Sequence, residues 1–171
     1  MTQTAGAQEP MGPLPMGAYA RKQAIGDVIV NFVLTVLING ALTHGLGTIP
    51  GSLPMGDTAP NLAGTLVGIA FFESLLLTPI VFLLTLAQRK SGKVMPPLDP
   101  GVRGGGAATR LTLLHLAVTL VGAIVLGMVI KALAPNLALS RWGFVGLVGV
   151  ISGALAWPLS RSTTRRALSL G

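Results

Sequence analysis

The stretch from Leu62 to Ala87 constrains this chain most, because it is almost entirely apolar over about 25 residues. A helix needs about 20 apolar residues to cross the hydrocarbon core of a bilayer. A helix on the surface of a soluble protein would instead carry a polar face at the helical period, and this stretch has none. We therefore predict a transmembrane helix over residues 62–87.

Three further apolar runs have the same character, and they cover residues 24–46, 111–133 and 139–159. Only 10% of the 171 residues are charged, whereas soluble domains carry about 25%. The sequence thus predicts an all-α integral membrane protein whose four helices form an antiparallel four-helix bundle.

Lysine and arginine are distributed unevenly around these four runs. Ten of the 12 lie before the first run, in the loop over 88–110 or in the basic tail over 160–171, and only Lys131 and Arg141 lie elsewhere. Loops rich in these residues stay in the cytoplasm, so both termini are predicted to be cytoplasmic (N-in/C-in) in a cell (inner) membrane. Residues 1–20 hold three prolines and one charge, which predicts a disordered cytoplasmic tail. The tail over 160–171 is expected to lie on an anionic membrane surface.

One ionisable residue, Glu73, lies near the middle of the second predicted helix. A carboxylate at that depth costs about 2.5–3.5 kcal/mol on the mild insertion scale, which the surrounding leucines outweigh. Three hypotheses follow. Glu73 binds a proton, a cation or a cationic solute; or it stays protonated and donates a structural hydrogen bond; or it faces lipid and snorkels.

The first predicted helix carries a polar residue at every fourth position. The series is Asp27, Asn31, Thr35, Asn39 and Thr43. This spacing produces a slanted ridge that a crossing helix covers. The ridge is either a hydrophilic track along a pathway or interhelical glue, since Asn and Thr form hydrogen bonds between membrane helices.

A rise of about 1.5 Å per residue allows the four helices to be aligned by depth. The side chains predicted near the middle of the bilayer are Thr35, Glu73, Ser74, Thr119 and Ser152. The candidate binding residues for a substrate or ion are Glu73, Asn31, Thr35, Asn39 and Thr119. Nearer the cytoplasm, Asp27 and His115 are predicted to pair, unless Arg110 competes for Asp27.

Glycine and proline suggest how the helices pack and bend. Gly146, Gly149 and Gly153 form a small-residue face on the fourth helix, which lets another backbone approach closely. Pro79 is expected to kink the second helix, because it frees a carbonyl group that Ser74 or Thr78 could satisfy. The run of glycines over 104–106 is interpreted as a flexible linker.

The sequence argues against several classes of function. It has no cysteine, no catalytic motif and no cluster of residues at metal-ligand spacing, so we expect neither an enzyme, a metal site nor a cofactor. Its two histidines lie at opposite ends of their helices, which leaves a single axial haem or pigment ligand as the alternative. The basic residues flank apolar runs, so no nucleic-acid binding is expected.

Two functions remain open. The first is a permease-like protein that uses Glu73 and that works as a homo-oligomer, because four helices enclose little aqueous space. The second is a non-catalytic accessory or assembly subunit that docks on a larger membrane complex. In both, the lipid bilayer is the main partner.

Overall fold

A computed structural model describes residues 14–51 and 60–171. The described chain is predominantly helical, and four of its helices are long and apolar enough to cross a membrane, which confirms the predicted number. The elements are α1 (Met16–Leu42), β1 (Thr48–Pro50), α2 (Leu62–Phe72), a π segment (Glu73–Leu77), α3 (Thr78–Lys90), α4 (Gly105–Leu133), β2 (Ala138–Ser140) and α5 (Arg141–Leu168). α2, the π segment and α3 form one continuous helix over Leu62–Lys90.

Two of the helices begin at side chains that cap the free N–H groups of the first turn. The Asn61 side chain accepts from the N–H of Gly64 at 2.8 Å, and α2 follows it. The Ser140 hydroxyl accepts from the N–H of Gly143 at 3.2 Å, and α5 follows it.

The helix limits differ from the predicted ones mainly at the ends that carry the termini. α1 begins at Met16, inside the predicted tail over 1–20, whose residues 1–13 lie outside the described part of the chain. α4 begins at Gly105, so the glycine run does not act wholly as a linker. α5 continues to Leu168 through much of the predicted tail over 160–171, because Ser160, Ala167 and neighbouring residues are buried against other helices.

The helices pack side by side in a row. α1 packs along α5, α5 packs along the continuous helix Leu62–Lys90, and that helix packs along α4. α1 and α4 therefore occupy the outer positions, and their outward faces are apolar and exposed, as at Leu37 (64%) and Met128 (67%). α5 and the continuous helix Leu62–Lys90 supply most of the buried residues.

The two loops at the end of the helices opposite the termini form a short antiparallel sheet. β1 pairs with β2, with Thr48 opposite Ser140 and Pro50 opposite Ala138. Ile49 is fully buried beneath this pair and belongs to the apolar core there. These strands were not predicted, because each has only three residues and one contains proline.

An apolar core lies near each end of the helices along their length, and a polar layer separates the two cores. The first core contains Phe144, Val148 and Ala70 under the sheet. The core at the other end contains Phe82 and Ala167. Between the two cores, the continuous helix and α5 carry the buried polar residues Glu73, Ser74, Thr78, Ser152 and Ser160, together with the buried apolar Ala156 and Leu159.

A candidate intramembrane polar site at Glu73

The carboxyl group of Glu73 lies inside the helix row and is only 7% exposed. Its Oε1 accepts a hydrogen bond from the hydroxyl of Ser152 on α5. Ser152 in turn accepts from the Thr35 hydroxyl of α1 at 2.8 Å. A hydrogen-bonded chain thus joins Glu73 to both helices on one side of it.

The second carboxyl oxygen, Oε2, is buried without a hydrogen-bond partner among the described residues. A buried polar atom in this condition is costly, and native proteins hold few of them. No ion pair to Glu73 occurs among residues 14–51 and 60–171 either. Among the described residues, a negative charge on this carboxyl group would be stabilised by one hydrogen bond only, from the hydroxyl of Ser152.

The π segment determines which neighbours these polar side chains meet. It begins at Glu73 and ends two residues before Pro79, whose missing N–H interrupts the α-helical hydrogen-bond pattern. Glu73 bonds to α5, whereas the adjacent Ser74 bonds to Thr119 of α4 at 2.7 Å. Two consecutive residues thereby reach neighbouring helices on different sides of their own helix.

The predicted mid-depth residues are brought together in this layer. Thr35, Ser152 and Glu73 form one hydrogen-bonded group, and Ser74 with Thr119 forms a second beside it. Thr119 also lies within hydrogen-bond distance of the carbonyl oxygens of His115 and Ala70. Their role in binding a substrate or ion stays a prediction.

The two asparagines of the α1 ridge act locally. Asn31 donates to the carbonyl of Asp27 at 2.8 Å, and Asn39 donates to the carbonyl of Thr35 at 2.9 Å, each four residues back on the same helix. Such bonds occupy the side chains within their own helix. In the described structure Thr35 and Asp27 are the ridge residues whose side chains bond to α5.

The predicted pairing of Asp27 with His115 is wrong. Asp27 accepts from Ser160 of α5 and from Gln23 of its own helix, and His115 lies 2.9 Å from Thr78 and 3.0 Å from Ser162. α5 lies between α1 and the other helices, so its serines take up both groups. Arg110, the predicted competitor, is exposed.

The predicted hydrogen bonds around Pro79 are also wrong. Ser74 and Thr78 were expected to satisfy the carbonyl freed by Pro79. Their hydroxyls bond instead to Thr119 and His115 of α4. The helix accommodates the proline by widening into the π segment just before it.

The glycine face packs within the molecule. A Cβ atom on Gly149 would meet Val36 at 2.6 Å and the Phe32 ring at 3.2 Å, and Gly153 lies under Val28 and Phe32. Gly146 has nothing within 4 Å of the same position. Gly149 and Gly153 therefore let α1 approach α5 closely, whereas Gly146 does not take part in this packing.

Two buried or partly buried arginines were not singled out by the sequence. Arg89, which is 2% exposed, donates to the carbonyls of Pro96, Ala167 and Leu170. Arg141 donates to the carbonyl of Gly40 near the end of α1 at 2.7 Å. Each arginine donates to a carbonyl group in the last turn of a helix, Ala167 of α5 for Arg89 and Gly40 of α1 for Arg141. Counting charges in loops does not reveal this role.

The described residues were also compared with the requirements of a metal site, and the chain with known proteins. No group of three His, Cys, Asp or Glu side chains that could hold a metal ion occurs within residues 14–51 and 60–171. Comparison with family models, with curated proteins and with solved structures finds no match to this chain. The site must therefore be interpreted from its own geometry.

We expect Asp27 and Ser160 to be energetically coupled, because their side chains form a direct hydrogen bond. In a double-mutant cycle with Asp27→Ala and Ser160→Ala, the coupling energy should be about 0.5–3 kcal/mol. The cycle of Asp27→Ala with His115→Ala should be additive within about 0.5 kcal/mol. Unfolding by SDS titration in mixed micelles measures both, and equal coupling in the two cycles would contradict this arrangement.

Proposed function

We propose that this chain is a multi-pass membrane protein of permease type in which Glu73 takes up and releases a proton or a small cation. In this proposal the four helices cross the membrane with alternating direction and both termini are cytoplasmic. The observation that carries it is the buried carboxyl group of Glu73, with Oε1 bonded to Ser152 and Oε2 without a partner.

The register of the polar contacts supports the alternating direction. Between α1 and α5, Asp27 bonds to Ser160 and Thr35 bonds to Ser152, so the residue number rises on one helix as it falls on the other. The same holds between Thr78–His115 and Ser74–Thr119. Helices that run in opposite directions produce this pattern.

The surroundings of Glu73 favour a small charged species over a large solute. The carboxyl group is nearly inaccessible, and it does not line the cleft between the first turns of α1 and the last turns of α5. A proton needs only the free oxygen, and a small cation would add the hydroxyl of Ser152 and the carbonyl of Asn31, which lies 3.5 Å from that hydroxyl. Neutralising an intramembrane carboxylate in this way removes the cost of a buried charge.

The π segment is the second feature that supports a working site. Segments of this kind are rare, appear mostly as single turns within α-helices and are frequent at functional sites. Here the segment begins at the acidic residue itself. The irregular turn that accommodates Pro79 therefore coincides with the acidic residue in the middle of an apolar helix.

A homo-oligomer fits this function. The four helices of one copy leave the outward faces of α1 and α4 exposed, and a second copy packed against one of these faces would cover its apolar side chains. Those faces are apolar, so lipid covers them where no second copy does.

The Glu73→Gln variant provides the experiment. In lipid, wild-type protein should show an infrared carboxyl band that changes between mildly acidic and mildly alkaline buffer, and Glu73→Gln should lose that band. Adding Na⁺ at constant pH tests cation binding, because a bound cation should also change the infrared carboxyl band of Glu73. The control is Asp99→Asn, because Asp99 is exposed in the loop between α3 and α4 and should leave the Glu73 band unchanged. A Glu73 band that does not respond to pH or Na⁺ would mean a structural acid and would overturn the proposal.

One observation favours the second candidate, an accessory subunit of a larger membrane complex. α1 and α4 present broad apolar faces at the two outer positions of the helix row. The Gly149/Gly153 face is already covered by α1, so docking would use these outer faces and not the glycines. Purification in mild detergent separates the two functions: a small homo-oligomer supports the permease, and a large stoichiometric partner supports the subunit.

A further inference from the structure

A cleft of about 610 Å³ opens between the first turns of α1 and the last turns of α5, and Glu73 is not among the residues that line it. Its walls are formed by residues of these two helices and by the residue that follows α5. They are Met16, Gly17, Ala20, Arg21, Trp157, Arg161, Arg165, Leu168 and Ser169. The volume lies in the range of sites that bind small molecules.

Three arginines line this cleft without a carboxylate among the lining residues. Arg21 comes from α1, and Arg161 and Arg165 come from successive turns of α5. All three side chains are exposed, and none has a hydrogen bond or ion pair within the described chain. Positive charges gathered on one concave surface repel each other unless an anion lies between them.

The remainder of the cleft wall is largely apolar. Met16, Ala20, Trp157 and Leu168 contribute apolar side chains to it. Trp and Tyr concentrate at membrane–water interfaces, where a ring can contact acyl chains and the headgroup region at once. Positive and apolar walls in one cleft match a ligand that has an anionic head and a hydrocarbon body.

We infer that this cleft binds the phosphate of an anionic phospholipid through Arg21, Arg161 and Arg165, with an acyl chain against Trp157. A guanidinium group binds two phosphate oxygens through paired hydrogen bonds, which the ammonium group of lysine does not form. The lipid would bridge α1 and α5 at the end that carries both termini. The inference does not depend on what Glu73 does.

The neighbouring arginines Arg165 and Arg166 give a matched test. Both are exposed in the last turns of α5, but only Arg165 lines the cleft. Arg165→Gln and Arg166→Gln change the net charge equally at nearly the same depth. A general attraction between a basic surface and anionic lipid would respond equally to the two substitutions, whereas a cleft responds only to the first.

We expect Arg165→Gln to weaken binding of phosphatidylglycerol about tenfold, because it removes a charged hydrogen-bonding partner of the phosphate. Arg166→Gln should bind as wild type does. The measurement is the rise in melting temperature of detergent-purified protein on titration with phosphatidylglycerol, together with native mass spectrometry of retained lipid. Circular dichroism establishes that each variant is folded, and Arg161→Gln serves as a second cleft variant.

Two comparison ligands separate the sources of phosphate. Phosphatidylcholine, which carries no net charge, should raise the melting temperature much less than phosphatidylglycerol does. Inorganic phosphate should have little effect, because it makes no contact with the apolar wall. Equal losses in the two arginine variants, or stabilisation by inorganic phosphate equal to that by phosphatidylglycerol, would overturn the inference.

Discussion

Replacing Arg89 with methionine will destabilise the folded protein by about 1–3 kcal/mol, the cost of leaving a buried hydrogen-bonding group without its partner. Arg89 donates to the carbonyls of Ala167 and Leu170 at the end of α5 and to that of Pro96 in the loop after α3. Methionine fills a similar volume but donates nothing. The carbonyl groups would then be buried without donors, and the positive charge that favours two helix C-termini would be lost.

The adjacent lysine is the control for this prediction. Lys90 carries the same charge one residue later but is exposed, so Lys90→Met should change stability by no more than about 0.5 kcal/mol. Unfolding by SDS titration, followed by circular dichroism, measures both variants. Equal and small effects in the two would show that the Arg89 bonds contribute little to stability.

Substituting Gly149 with leucine will separate α1 from α5. The Cβ atom of a leucine at this position would lie 2.6 Å from Val36, and the rest of its side chain would extend into the Phe32 ring. Overpacking of this kind costs about 1–3 kcal/mol. The displacement would also lengthen the contact between Thr35 and Ser152, and so would disturb the chain of hydroxyls that ends at Glu73.

Gly146 provides the matched control for Gly149. It lies one turn away on the same helix and has open space around it, so Gly146→Leu should leave stability unchanged within about 0.5 kcal/mol. The melting temperatures of the two variants in detergent, and the infrared carboxyl band of Glu73, measure the difference. A Gly149→Leu protein as stable as Gly146→Leu would mean that α1 does not pack against this face.

Much of the polar layer was predictable because depth in a helix depends only on residue number. Thr35, Glu73, Ser74, Thr119 and Ser152 were aligned from the rise per residue, and they meet in the folded chain. The rotation of each helix about its axis was not predictable. Asp27 and His115 have similar depth, yet α5 supplies a separate serine to each of them.

The irregular parts of the structure were predicted least well. The proline signal indicated a bend near Pro79 but did not reveal a π segment that begins at Glu73. The loops over 44–61 and 134–138 gave no sign that β1 and β2 pair, since their pairing depends on contacts about 90 residues apart. Arg89 was counted among the charges of a cytoplasmic loop, and its burial follows only from the position of the end of α5.

The sequence by itself determined that the chain has four helices long and apolar enough to cross a membrane, because length and hydropathy are local properties. It also determined the level at which polar side chains occur along each helix. Only the tertiary structure decided which helices are neighbours, which side each polar group faces and which bonds are left unmade. Those outcomes depend on packing between distant segments, and the unpartnered oxygen of Glu73 and the three arginines of the cleft are among them.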